Sequence, residues 1–201
     1  HEFVGEVAKI NDEDSKKYNL SIGDRVISNI AVPCGKCKLC KSGDDANCVN
    51  MGVTNGGNPE DEPHFHGGFA EVSYAPAANL IKIPENVDSL AACVFACPGP
   101  TAIHAFNLAK RAGCDIKDAE TAVVSGTGPV GCMAIAYLAN AGVKNIIVLA
   151  NRESKGSDER VTALGGTRIL HIASMEDDEI IVEILNISGG LGADLAFEAS
   201  G

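Results

Sequence analysis

Residues 121–152, TAVVSGTGPVGCMAIAYLANAGVKNIIVLANR, decide the fold. Thr121 to Ser125 is a short, apolar, β-branched run suited to a buried parallel strand. Gly126-x-Gly128-x-x-Gly131 follows at once, with Pro129 where a first helical turn tolerates proline. Val130 to Ala141 is almost wholly apolar, as a helix packed on a sheet would be, and Asn145 to Ala150 makes a second strand. The turn needs glycine at Gly126 to bend tightly and at Gly128 so that backbone can approach a pyrophosphate. Gly131 lets the helix lie close on the strand, while the N–H groups of the first helical turn face the phosphates. Alone, this glycine spacing is a weak signal; framed by strand, helix and strand it points to a dinucleotide. Positions 121–143 carry no charge, so length alone admits a membrane helix, but the glycines, Pro129 and Asn140 argue against one.

In NAD-binding units the second strand ends in a carboxylate for the ribose 2′-hydroxyl, roughly 20 residues past the glycines. Ala150 stands there instead, followed by Asn151, Arg152 and Lys155. A carboxylate would repel a 2′-phosphate and a guanidinium forks onto one, so NADP is expected in preference to NAD. The candidate cofactor contacts are Gly126, Gly128, Pro129, Val130, Gly131, Asn151, Arg152 and Lys155. The competing reading makes Arg152 and Lys155 ordinary solvated charges.

The rest of the chain falls on either side of that unit. Alternating segments at 2–10 and 23–30, with short runs at Phe69–Tyr74 and Asn79–Ile83, make residues 1–87 look all-β, the polar stretch 11–22 being a turn. Helix signals begin at Ser89–Phe95 and Thr101–Ala112. From residue 121 strands and helices alternate, with helices near 157–164 and 176–187 and strands at 168–172 and 193–198, which predicts a doubly wound parallel sheet. The 201 residues have 45% hydrophobic and 21% charged content and a net charge of −11. They fit a globular chain without nucleic-acid or anionic-membrane partners.

Cys34-x2-Cys37-x2-Cys40-x7-Cys48 is the sharpest local signal. Four thiolates at this spacing close a tetrahedron around Zn²⁺, three of them from one tight loop, and leave no open position, so the site is structural. An iron–sulfur cluster would want a shorter last gap followed by proline. Disulfides are the third reading, but such crowding favours metal in a reducing, cytoplasmic compartment. His1 and Cys97, taken alone, read as a terminal residue and a core cysteine, and Cys93 as another core cysteine. His64 and His66, in EPHFHGG, read as loop histidines with a lesser claim to a metal or substrate contact.

HEFVGEV, GDRV, the four-cysteine loop, GGFAEV, Cys97-x3-Thr101 and GTGPVG occur in the order and approximate spacing of zinc-dependent medium-chain alcohol dehydrogenases. The chain resembles that family over essentially its whole length, nearest the sorbitol and threonine dehydrogenase branch. The resemblance implies that His1 and Cys97 are catalytic-zinc ligands and Glu2 the adjoining carboxylate, with Thr101 beside the nicotinamide. It also implies a GroES-like β-rich catalytic domain over residues 1–98 and a Rossmann nucleotide domain over 99–201. The activity implied is hydride transfer between an alcohol or polyol and NADP(H), giving an aldehyde or ketone, in a homodimer or homotetramer.

The family's first catalytic ligand, a cysteine, and its proton-relaying hydroxyl lie upstream of the His-Glu pair. Its nucleotide sheet continues past a fourth strand. The sequence therefore reads as an internal piece of a longer protein, both domains being partial. A zinc-free quinone or enoyl reductase of the same fold, and a non-catalytic NADP(H)-binding redox sensor, remain alternatives.

Overall fold

The computed structural model describes residues 1–53, 58, 60, 62 and 67–201. The sequence expectation for His64 and His66 lies outside the described residues. The chain divides into two compact units, His1–Cys97 and Pro98–Gly201.

The first unit contains β1 (Val4–Glu6), α1 (Asp12–Tyr18), β2 (Arg25–Ser28), β3 (Ala31–Val32), α2 (Lys38–Lys41), β4 (Gly52–Val53), β5 (Leu80–Lys82) and α3 (Ser89–Cys93). Strands β1, β2 and β5 form an antiparallel sheet with β2 central, in the register Val4 opposite Ile27 and Ile27 opposite Ile81. Ile27 packs with Ile83, Ala92 and Ala96 on one side, while Val26 packs with Val7 and Leu20 on the other. This two-sided burial is what the period of two in a strand produces. Strands β3 and β4 pair separately.

Two expectations are corrected in this unit. The polar stretch taken for a turn contains α1, so residues 1–87 are not all-β. Asn11 caps α1 by accepting the Asp14 N–H, Asp12, Glu13 and Asp14 occupy its positive end, and Asn19 closes it in the left-handed region at φ 53°. Phe69–Tyr74 does not form a strand. Phe69, Val72 and Tyr74 are exposed, and among the described residues no strand pairs with the run, so its apolar spacing has no sheet face to fill.

The second unit runs α4 (Pro98–Arg111), β6 (Thr121–Ser125), α5 (Pro129–Ala141), β7 (Asn145–Ala150), α6 (Lys155–Ala163), β8 (Arg168–His171), α7 (Asp177–Ile187) and β9 (Leu195–Glu198). The strands are parallel in the order β8-β7-β6-β9, as in a doubly wound sheet. One face is covered by α4 and α5 through Ala102, Phe106, Ile135 and Leu138 on Val124, Ile146 and Val148. The other carries α7, with Ile180, Ile184 and Ile187 over Val123, Ile147 and Leu170. Buried side chains of this size each contribute about 1.5–3 kcal/mol relative to exposure, which offsets much of the entropy lost in ordering the sheet. Helix α4 begins three residues ahead of the expected start because Pro98 and Pro100 suit a first turn. Among the described residues no single helix is long and apolar enough to cross a membrane.

Asp194 fastens the start of β9 to β6, its Oδ2 accepting the N–H groups of Glu120 and Thr121, both at 2.9 Å. These bonds hold its carboxyl below the ordinary aspartate value of 3.8. A carboxyl lowered by folding adds stability that is present in full above the unfolded pKa and fades as the pH falls through the folded one. Asp194→Ala is therefore expected to melt below the wild type at neutral pH. In thermal melts the gap should hold above the ordinary value of 3.8 and narrow as the pH falls through the lowered one.

Candidate functional site

The glycine turn leaves β6 at Ser125 and enters α5 at Pro129, as the sequence predicted. Gly126 sits at φ +103°, and a Cβ there would lie 2.5 Å from the Ala199 carbonyl oxygen. A Cβ on Gly131 would lie 2.1 Å from the Gly126 carbonyl oxygen, whereas one on Gly128 would meet nothing within 4 Å. Gly126 and Gly131 are thus required by the fold, and Gly128 leaves open space where α5 begins. The Gly128 cap position supplies no side-chain acceptor to the first turn of α5. Its N–H groups remain for an anion, and Pro129 and Val130 open that turn.

Ala150 ends β7 and is 3% exposed. Asn151 and Arg152 follow on the surface, and the Asn151 carbonyl accepts the Ala173 N–H at 2.8 Å. Lys155 opens α6, its Nζ 3.9 Å from Glu159 Oε1 with both side chains exposed. Nearby, His171 Nε2 lies 3.1 Å from Asp158 Oδ2 and joins the end of β8 to α6. No local sequence signal pairs His171 with Asp158, because the two meet only through the sheet order. Thr101 is exposed on the first turn of α4.

In the first unit the Sγ atoms of Cys34, Cys37, Cys40 and Cys48 all lie within 4.8 Å of one another. Cys34–Cys40 is 4.0 Å, Cys37–Cys40 3.5 Å and Cys37–Cys48 4.0 Å. A tetrahedral Zn²⁺ with bonds of about 2.3 Å has sulfur–sulfur edges of about 3.8 Å, and the observed separations bracket that edge. They exceed a disulfide bond of about 2.05 Å by far. Main-chain N–H groups point at the sulfurs, Cys34 N–H to Cys48 Sγ at 3.2 Å and Cys37 N–H to Cys34 Sγ at 3.4 Å. The N–H groups of Lys36 and Cys37 bring the Cys34 thiol down to about 6, whereas burial pushes Cys40 up to about 12. The donor set fits a closed zinc site.

The second convergence joins the two ends of this unit. A ring nitrogen of His1, a carboxylate oxygen of Glu2 and Cys97 Sγ lie within 4.8 Å of one another, with His1 and Glu2 exposed and Cys97 half-buried. His1 and Glu2 precede β1, and Cys97 follows the 3₁₀ turn Val94–Ala96 at the end of α3. Imidazole, carboxylate and thiolate at this spacing suit Zn²⁺. Cys93 is not a core residue as expected. It is half-buried and donates from Sγ to the Glu2 carbonyl at 3.0 Å. No spacing in the sequence signals that contact, since 91 residues separate the partners.

Residues 1–85 match the model of the alcohol dehydrogenase GroES-like domain. L-threonine 3-dehydrogenase of Cronobacter sakazakii is 32% identical over 202 residues, which cover 100% of this chain and 52% of that protein. Residues 1–85 thus resemble the GroES-like unit of alcohol dehydrogenases, and the whole chain is similar to about half of a threonine dehydrogenase. An alcohol dehydrogenase from Thermotoga maritima superposes with a TM-score of 0.80 at 27% identity, over 90% of this chain and 49% of that one. A dehydrogenase from Escherichia coli CFT073, solved with NADH, gives a TM-score of 0.74 at 26% identity, over 100% of this chain and 53% of that one. The chain spans about half the length of the curated relatives it matches. The expected family and fold class, GroES-like unit and doubly wound sheet, are borne out.

Proposed function

We propose that this chain supplies the metal and cofactor sites of a zinc-dependent, NADP-preferring dehydrogenase that interconverts an alcohol or polyol with its aldehyde or ketone. The observation that carries the reading is the convergence of His1, Glu2 and Cys97, brought together from opposite ends of the first unit. Residues 1–98 are assigned as the catalytic domain and 99–201 as the nucleotide domain. Zinc, when bound, supplies a Lewis acid that lowers the pKa of an alcohol. A nicotinamide cofactor held by the second unit would supply the hydride acceptor. The chain's own residues do the placing. His1 and Cys97 hold the metal, and Glu2 enters or approaches the same shell. Thr101 steadies the nicotinamide, the turn Gly126–Gly131 receives the pyrophosphate, and Asn151, Arg152 and Lys155 receive the 2′-phosphate. We assign the protein to the cytoplasm as a homo-oligomer, in keeping with eight cysteines of which four form a metal-binding set.

Metal analysis and cofactor titration of the full-length protein test this reading. Two zincs per chain are expected, with NADPH bound more tightly than NADH. Arg152→Ala should cut that preference by about tenfold, the loss of a charge-assisted hydrogen bond of about 1.5 kcal/mol, and Lys155→Ala should cut it less. One zinc per chain would keep the four-cysteine site but remove the metal-assisted mechanism, and near-zero zinc would favour the quinone or enoyl reductase reading. Equal or tighter NADH binding would sink the NADP preference alone. Tight NADPH binding without turnover of any alcohol would favour the redox sensor.

A further inference from the structure

We propose that Cys93 is a positioning residue for the metal centre formed by His1, Glu2 and Cys97; the inference rests on that centre being the catalytic one. Cys93 Sγ donates to the Glu2 carbonyl at 3.0 Å. Its partner is a main-chain oxygen, and Cys93 is not among the side chains that converge with His1, Glu2 and Cys97, so it fixes backbone. The atom it holds belongs to the residue between His1 and Phe3, at the centre of the segment that presents both N-terminal ligands.

The segment needs such a tie. Ladder pairing of β1 begins at Val4, three residues beyond His1. Cys93, in contrast, ends a turn fixed from several directions. Asp88 caps α3 by accepting the Leu90 and Ala91 N–H groups. Arg25, on the strand paired with β1, donates to Ser89 Oγ at 2.9 Å and to the Val87 carbonyl at 3.1 Å. Ala92 and Ala96 are buried against Ile27 and Ile83. From this platform one short segment presents two sulfurs: Cys97 faces His1 and Glu2 as a ligand, and Cys93 grips the backbone that carries them. The ligand distances across a gap of 96 positions are therefore set partly by one thiol hydrogen bond.

Residues that orient metal ligands typically cost about 10–100-fold in metal affinity when lost. In full-length protein with zinc retained in the four-thiol site, cobalt binding at the second centre is read from the thiolate charge-transfer band of Cys97. Cys93→Ala is expected to weaken cobalt binding there by about 10–100-fold. Cys93→Ser, which keeps a donor, should restore most of it. Zinc in the four-cysteine site should be unchanged in both variants, which reports that the unit is folded. Cys97→Ala should weaken the band and lower cobalt affinity at that centre. If Cys93→Ala binds cobalt as the wild type does while Cys97→Ala does not, the positioning role is overturned and the metal centre stands. Equal weakening by alanine and serine also overturns it. Unchanged cobalt binding by Cys97→Ala removes the metal centre itself, and the inference with it.

Discussion

Cys40→Ala is expected to empty the four-thiol site and open the loop between Cys34 and Cys48. That loop has little else to hold it. Helix α2 is four residues long with no buried member, the 3₁₀ turn at Asp45–Asn47 buries nothing, and β4 contributes two exposed residues. The sulfurs themselves organise the backbone. Cys37 Sγ accepts the Cys40 N–H at 3.5 Å, and Cys48 Sγ accepts those of Cys34 and Asn50. Structural zinc contributes about 10–16 kcal/mol in small zinc-binding peptides, as much as the whole stability of an ordinary domain at about 5–15 kcal/mol. Removing one thiolate leaves three ligands and an opening for water. The expected result is one zinc fewer per chain, rapid proteolytic cleavage within residues 34–48, and a lower melting temperature. Cys40→Ser should behave alike, because a hydroxyl does not ionise to a soft ligand near neutral pH. A variant with full zinc content and an intact loop would show that the four sulfurs serve another purpose.

The two clusters of candidate ligands and the glycine turn differ in how openly the sequence displays them. Thr121–Ser125 and Asn145–Ala150 stand where their apolar runs placed them, because buried parallel strands leave continuous hydrophobic stretches and glycine marks their edges. The four cysteines lie within 15 positions, so spacing alone suggests their tetrahedron. His1 and Cys97 have no such local sign; resemblance to a family pointed to them, and the turn after α3 brings them together. Helix α1 escaped because it is seven residues long and buries none, leaving caps and charge order as its evidence. Phe69–Tyr74 misled in the opposite sense. Apolar spacing marks a possible strand, but a strand exists only with a neighbour to complete its hydrogen bonds. Cys93 illustrates a third limit: a thiol among alanines and valines reads as core until its acceptor, 91 residues away, is known.

Gly131→Ala and Gly128→Ala should separate the two uses of glycine in the turn. At Gly131 the added methyl would sit 2.1 Å from the Gly126 carbonyl oxygen and 2.9 Å from its carbon, both backbone atoms. Relief requires α5 to move off β6, and α5 carries Ile135 and Leu138 into the core beneath it. Overpacking of this kind costs about 1–3 kcal/mol, occasionally more, so Gly131→Ala is expected to lower the melting temperature and weaken both NADPH and NADH. At Gly128 the backbone has an ordinary φ of −72° and the methyl meets nothing. Gly128→Ala should therefore melt with the wild type, yet its methyl would occupy the open space at the start of α5. The expected signature is cofactor affinity reduced by at least about tenfold, or about 1.4 kcal/mol, with stability unchanged. Circular-dichroism melts and fluorescence titration with both nucleotides measure the pair. If Gly128→Ala binds both cofactors as the wild type does, the pyrophosphate does not approach the turn there, and the glycine triplet serves helix packing alone.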